Sequence, residues 1–261
     1  MNSAEFLTTP ALGAAAGLRH GFFTRRGGVS EGPWAALNCS LSGQDAPDRV
    51  RENRRRAAGE LGLPLSALHG LTQVHGIDVA EVDAAGWLEG QGPRADALVT
   101  RRAGVVLGIV TADCAPVLFA DPVAGVIGAA HAGWRSAVGG VIEATIAAMA
   151  ALGAVPGRML AAVGPCIGQA SYEVGPDLRD AVLARDAADA RHFAPGLRPD
   201  RWRFDLQGYC AARLAAAGVG TVETADTDTL AETARFFSHR RRTLAGGGPI
   251  GHQLSAIAIP D

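Results

Sequence analysis

Gly104 divides two kinds of pattern along this chain. Before it, the longest regular stretch is polar: residues 45–63, rich in Arg and Glu, are predicted as a helix. Beyond it come apolar runs at residues 105–110, 117–119 and 126–130, short, rich in β-branched side chains and punctuated by Gly, Pro and Asp. That pattern predicts buried strands. A helix is predicted after H-A-G-W-R, ending near residue 152, then a strand over 159–163 and helices over 176–186 and 205–217. Asp205 is a good N-cap for the last of these. Residues 138–155 are mostly apolar, but Glu143 interrupts them and Pro156 ends them, which suits an amphipathic or core helix rather than a membrane span. A strand over 254–259 closes the chain, and Arg25-Arg26-Gly27-Gly28 reads as a turn. Helices and strands alternate irregularly, which favours one α/β domain with mixed sheets over a doubly wound parallel sheet. The domain is expected to take in residues 1–261, with 1–18 as a loosely ordered N-terminal segment.

Composition narrows the chemistry. With 48% hydrophobic and 19% charged residues, a chain of 261 residues buries a sizeable core. A net charge of -2 leaves no electrostatic footprint for nucleic acid or an anionic membrane, so neither is expected as a partner. All 24 Lys+Arg positions are Arg. The absence of lysine excludes a Schiff-base lysine and a P-loop lysine. An anionic substrate must then be held by Arg, by backbone N–H groups or by a metal. The four cysteines, Cys39, Cys114, Cys166 and Cys210, form no C-x-x-C pair, and a chain of this length needs no disulfide staples. The N-terminus lacks the basic and apolar regions of a secretory signal, so the cytoplasm is the expected compartment.

Three residues stand out as metal ligands or catalytic groups: His75 in T-Q-V-H-G, Cys114 in T-A-D-C-A-P and His131 in H-A-G-W-R-S. One thiolate and two imidazoles suit Zn²⁺, with copper as the alternative, and three protein ligands leave a position open for chemistry. Each residue also has an ordinary reading: a buried structural cysteine, a core histidine, a loop histidine. Asp113, beside Cys114, is a candidate proton shuttle. Arg135, in the first turn of the helix after His131, and Arg25, in the R-R-G-G turn, are candidates for holding phosphate, though each is equally read as a solvated surface charge. His239 and Arg240, in F-F-S-H-R, line a pocket or else belong to a strand with alternating burial.

The motifs R-x-G-G-V-S, E-N-R, T-Q-V-H-G, A-D-A-L-V-T, T-A-D-C-A-P, H-A-G-W-R, G-P-C-I-G, Y-E-V-G and F-F-S-H-R-R run in order from about residue 19 to the end. In this the chain closely resembles the YfiH-like family, whose members have been called multicopper polyphenol oxidases or laccases, purine nucleoside phosphorylases and peptidoglycan editing factors. The resemblance implies a single α/β domain with mixed sheets flanked by helices, distantly like a toxin's cysteine-hydrolase domain. It implies a metal held by His75, Cys114 and His131. It also implies phosphorolysis of adenosine, inosine and methylthioadenosine, with adenosine deamination alongside, in a monomer or homodimer that binds nucleoside and phosphate. Two positions depart from the family pattern: Asp228 stands where Cys is usual, and His252 where Arg is usual.

Other functions fit some of the same residues. Cys114 and His131 also suit a metal-free Cys–His hydrolase acting on a cell-wall precursor. Seven scattered histidines are too few for a multinuclear copper cluster, which ranks a copper oxidase low. A binding protein that sequesters a small molecule is the non-enzymatic alternative.

Overall fold

The computed structural model describes residues 3–83 and 86–260. Its strands are β1 (Phe6–Leu7), β2 (Arg19–Phe23), β3 (Leu68–His69), β4 (Val79–Glu81), β5 (Ala97–Thr100), β6 (Val105–Thr111) and β7 (Ala115–Asp121). Then follow β8 (Val126–Ala132), β9 (Leu160–Val163), β10 (Glu173–Val174), β11 (Phe193–Pro195), β12 (Trp202–Phe204), β13 (Thr221–Thr224) and β14 (Gln253–Ile259). The helices are α1 (Pro10–Ala14), α2 (Pro47–Glu60), α3 (Trp134–Gly139), α4 (Val141–Ala151), α5 (Pro176–Arg185), α6 (Leu206–Ala216) and α7 (His239–Leu244).

Two large mixed sheets carry the fold, one of five strands ordered β1-β2-β14-β6-β3 and one of six ordered β13-β9-β7-β8-β5-β4. A small sheet, β10-β12-β11, stands apart from them. Alternation along the central strands explains their nearly unbroken apolar sequence. Leu107, Ile109, Leu118 and Ile127 face into a core between the two large sheets. Val106 and Leu254 face the other way, onto Ala57, Ala58 and Leu61 of α2 and its C-terminal turn. Val117 and Phe119 face Ile142, Met149, Tyr209 and Leu214 of α4 and α6. Both faces of each sheet are covered, so neither face of these strands needs polar positions.

The mixed α/β architecture agrees with the sequence, and three expectations are corrected. Residues 3–18 are not loose: β1 pairs with β2, Leu12 is buried, and the Ala11 amide donates to Glu223 Oε2 at 3.0 Å. The helix after H-A-G-W-R is two helices, because Gly140 at φ 108 breaks it. A left-handed residue interrupts the helical hydrogen-bond ladder, and glycine adopts that conformation without a Cβ clash. The F-F-S-H-R segment is not a strand: Phe236 and Phe237 are buried, and Ser238 caps α7 by accepting from the Arg241 amide.

Candidate active site

Three separate elements deliver the ligand candidates. His75 lies in the loop between β3 and β4, Cys114 in the tight turn between β6 and β7, and His131 near the end of β8. Their ligand atoms all lie within 4.8 Å of one another. Cys114 Sγ is 3.9 Å from His75 Nε2, and the two imidazoles meet edge-on with centroids 4.7 Å apart. His75 is exposed, Cys114 half-buried and His131 buried, so the trio closes on one side and opens on the other. Gly133 makes the approach feasible, since a Cβ there would sit 2.9 Å from His75 Cδ2 and 3.0 Å from Cys114 Sγ.

Asp96 holds this arrangement. Its fully buried carboxylate accepts from three successive amides, Val74 (3.1 Å), His75 (3.0 Å) and Gly76 (2.6 Å). Those bonds stabilise His75 at φ 60, a left-handed conformation that costs a non-glycine residue about 1–3 kcal/mol. The same carboxylate accepts from His131 Nδ1 at 2.7 Å, which leaves Nε2 for Cys114. A carboxylate on the far nitrogen of a ligating histidine fixes its tautomer and raises its basicity. In the sequence Asp96 carries only one signal of this role, an acid just before the buried strand of A-D-A-L-V-T.

Charge follows the geometry. Burial pushes the Cys114 thiol up, but the charge of His131 and hydrogen bonds from His131 and His75 outweigh it and bring the thiol down to about 6. Burial lowers His131, while the Cys114 thiolate and the Asp96 hydrogen bond lift it to about 9. The other cysteines lack such partners. Burial raises Cys39 to about 12 and also raises Cys166 and Cys210. Cys114 alone among the four is set up as a ligand or nucleophile.

The trio opens into a cavity of about 610 Å³ that also takes in Arg54, Arg135, His239, Arg240 and His252. Arg240 donates to the Glu173 carbonyl at 2.9 Å and lies over the Tyr172 ring. Arg135 is exposed and stacks on Trp134, with its guanidinium carbon 4.3 Å from the ring centroid. His239 is at the exposed start of α7. Arg25 is not among the cavity-lining residues: its guanidinium donates to the Ala35 and Thr233 carbonyls and packs on Phe237. Arg54, in the polar helix α2, is 4% exposed, bound to Glu89 and the Cys39 carbonyl, and lines the cavity. Its E-N-R motif was the missed signal.

Asp113 sits at φ 88 with a filled carboxylate. Oδ1 accepts from Thr229 Oγ1 at 2.6 Å; Oδ2 accepts from Ser238 Oγ at 3.0 Å and the Arg240 amide at 2.6 Å. Asp228 does not reach the cavity. It accepts from Ser171 Oγ at 2.5 Å and from the Leu230 amide at 2.9 Å, tying two loops together. Burial, aided by the charge of His131, lowers His252 to about 4, so it enters the cavity wall as a neutral ring.

Fold and trio together define a mixed α/β protein with an open His–Cys–His cluster, a candidate ligand set for a metal ion. Residues 19–260 match the family model described as multi-copper polyphenol oxidoreductase laccase. A purine nucleoside phosphorylase of Deinococcus radiodurans is 44% identical over 92% of this chain and 89% of its own length. Purine nucleoside phosphorylase YfiH of Escherichia coli is 38% identical, covering 85% of this chain and 88% of its own. The crystal structure of Neisseria meningitidis protein NMB0706 superposes with a TM-score of 0.87 at 36% identity, covering 98% of this chain and 99% of that one. YlmD from Geobacillus stearothermophilus does so at 0.85, with 31% identity over 99% of this chain and 100% of its own. The chain belongs to the YfiH-like family. Among the described residues, no helix is long and apolar enough to cross a membrane.

Proposed function

We propose that this protein is a metal-dependent purine nucleoside phosphorylase, with His75, Cys114 and His131 holding zinc. The observation that carries it is the trio itself, one thiolate and two imidazoles within 4.8 Å, opening into a cavity lined by Arg54, Arg135 and Arg240. The donor set fits the ion. Tetrahedral zinc with N and S ligands at about 2.0–2.3 Å sets ligand atoms about 3.5 Å apart, and the three atoms here lie within 4.8 Å of one another. Bound there, zinc supplies Lewis-acid charge at the open end of the trio. The relatives' names support the same reading.

The chain's own groups then divide the work. Arg240 and Arg135, with His239, whose pKa is lowered by burial and the nearby Arg242, hold orthophosphate at the cavity wall. The apolar surfaces of Trp134, Tyr172 and Leu206 take the flat purine. A phosphate oxygen bonds to C1′ as the C1′–N9 pair leaves with the base, which takes up a proton. Adenosine deamination at the same site is the second activity of this proposal, and the cytoplasm its compartment.

Zinc-loaded protein is expected to release hypoxanthine from inosine only when phosphate is present, and Cys114→Ala is expected to abolish release. Equal release by wild type and Cys114→Ala, or none by either, overturns the proposal. One observation favours a second reading, a Cys–His hydrolase: the thiol lowered to about 6 beside His131. That chemistry has no use for His75, so a His75→Ala variant that loses zinc but keeps activity would select it.

A further inference from the structure

We propose that Asp113 is a positioning residue: its carboxylate fastens the arm carrying His239 and Arg240 to the strand end carrying Cys114. The anion-binding groups and the ligand trio are thereby held in one fixed relation. The kinetic part of this inference rests on the phosphorylase reading above.

Two segments converge on this one residue, the stretch 229–240 and the loop that carries Ile167. The Thr229 hydroxyl, the Ser238 hydroxyl and the Arg240 amide all donate to its carboxylate, and the Ile167 amide donates to its carbonyl at 3.0 Å. Thr229 is fully buried, Ser238 is 3% exposed and Asp113 is 8% exposed, so water does not replace these bonds. Arg241 ties the same arm back through the carbonyls of Thr229 and Phe236. Holding Asp113 at φ 88 stores backbone strain immediately before Cys114, and strain of that kind persists only where surrounding bonds over-determine it. A proton shuttle needs an acceptor that is open to substrate, whereas both oxygens here are already engaged.

Replacement by asparagine separates the two roles. The asparagine carbonyl can accept from Ser238 and the Arg240 amide, and its NH₂ can donate to Thr229 Oγ1, so the strut survives. The amide neither gains nor loses a proton near neutral pH, so a shuttle does not survive. The test uses zinc-loaded wild type with Asp113→Asn, Asp113→Ala, Thr229→Val and Ser238→Ala. Orthophosphate binding by calorimetry, steady-state kinetics with inosine and zinc content are measured on each.

Asp113→Asn is expected to rescue the Ala variant, with phosphate affinity and kcat within about threefold of wild type. Asp113→Ala is expected to raise the phosphate Kd and KM by roughly tenfold or more while kcat at saturating phosphate falls less than about fivefold. Thr229→Val and Ser238→Ala fall between, and they keep the test alive if Asp113→Ala does not fold. The proposal is overturned if Asp113→Asn loses kcat as fully as Asp113→Ala with phosphate binding intact. It is equally overturned if every variant binds phosphate like wild type, or if wild type binds none. Wild type that binds phosphate yet yields no hypoxanthine refutes the phosphorylase reading alone, and the binding series still decides the role of Asp113.

Discussion

Two buried carboxylates, Asp96 and Asp113, flank the site and are built differently. Asp96 opens β5 and gathers three consecutive amides of one loop together with an imidazole. Asp113 follows β6 and gathers two hydroxyls and an amide from one stretch, 229–240, far away in the chain. The first has an ionisable partner, so its charge matters as well as its shape: it sustains the imidazolium of His131 beside the Cys114 thiolate. The second has only neutral donors, so its shape suffices. One acid holds the side of the cavity that carries His75, Cys114 and His131, and the other the side that carries His239 and Arg240.

The largest way to break this comparison is Asp96→Ala. It leaves three amides and a buried imidazole without their acceptor, at a cost of about 3–5 kcal/mol in stability. Zinc affinity is expected to fall roughly 10–100-fold. Urea denaturation and zinc titration measure both. Asp96→Asn sharpens the contrast: same shape, no charge, and still a loss of zinc affinity, whereas Asp113→Asn is tolerated. Equal behaviour of the two Asn variants would remove the distinction.

Next in size is the titration of Cys114 in metal-free protein. Alkylation by iodoacetamide should rise with a midpoint near pH 6, and His131→Ala should move that midpoint upward, toward the ordinary thiol value of 9. A midpoint unchanged by His131→Ala would remove His131 as the cause. Stability responds differently. A thiol depressed from 9 to about 6 adds stability that is full above pH 9 and lost as pH falls through 6. An imidazole raised from 6.5 to about 9 adds stability that is full below pH 6.5 and lost as pH rises through 9. The two slopes oppose each other across that window, because the pair moves one proton from sulfur to nitrogen. Thermal unfolding of the metal-free protein is therefore expected to vary little from this pair between about pH 6.5 and 9.

The smallest expected effect is at His252. His252→Arg restores a permanent charge to a cavity wall where the imidazole is neutral. It should lower the phosphate KM about fivefold, near 1 kcal/mol. No change in phosphate KM would mean that His252 stands outside the phosphate subsite.

Much of this was legible in the chain. Period and punctuation located β6, β7, β8, β9, β14 and helices α2, α5 and α6, because a buried strand or a capped helix writes its own local pattern. The two-residue strands β1, β3 and β10 have no such pattern; their pairing partners define them. The ligand trio was found by residue type. Arg25 and Arg135 each stand two residues from a glycine, and only the structure separates them: one donates to backbone carbonyls, the other lines the cavity.

The sequence by itself determined the types of the longer elements, the absence of lysine chemistry and the choice of His75, Cys114 and His131 as candidate ligands, since these depend on local pattern and side-chain chemistry. Their convergence was decided only by tertiary structure. So were the offices of Asp96 and Asp113, the entry of Arg54 into the cavity and the exclusion of Arg25. A buried carboxylate acquires its function from the donors folded around it. Those donors come from residues 74–76 and 131 in one case, and from 229, 238 and 240 in the other, separations that local pattern does not encode.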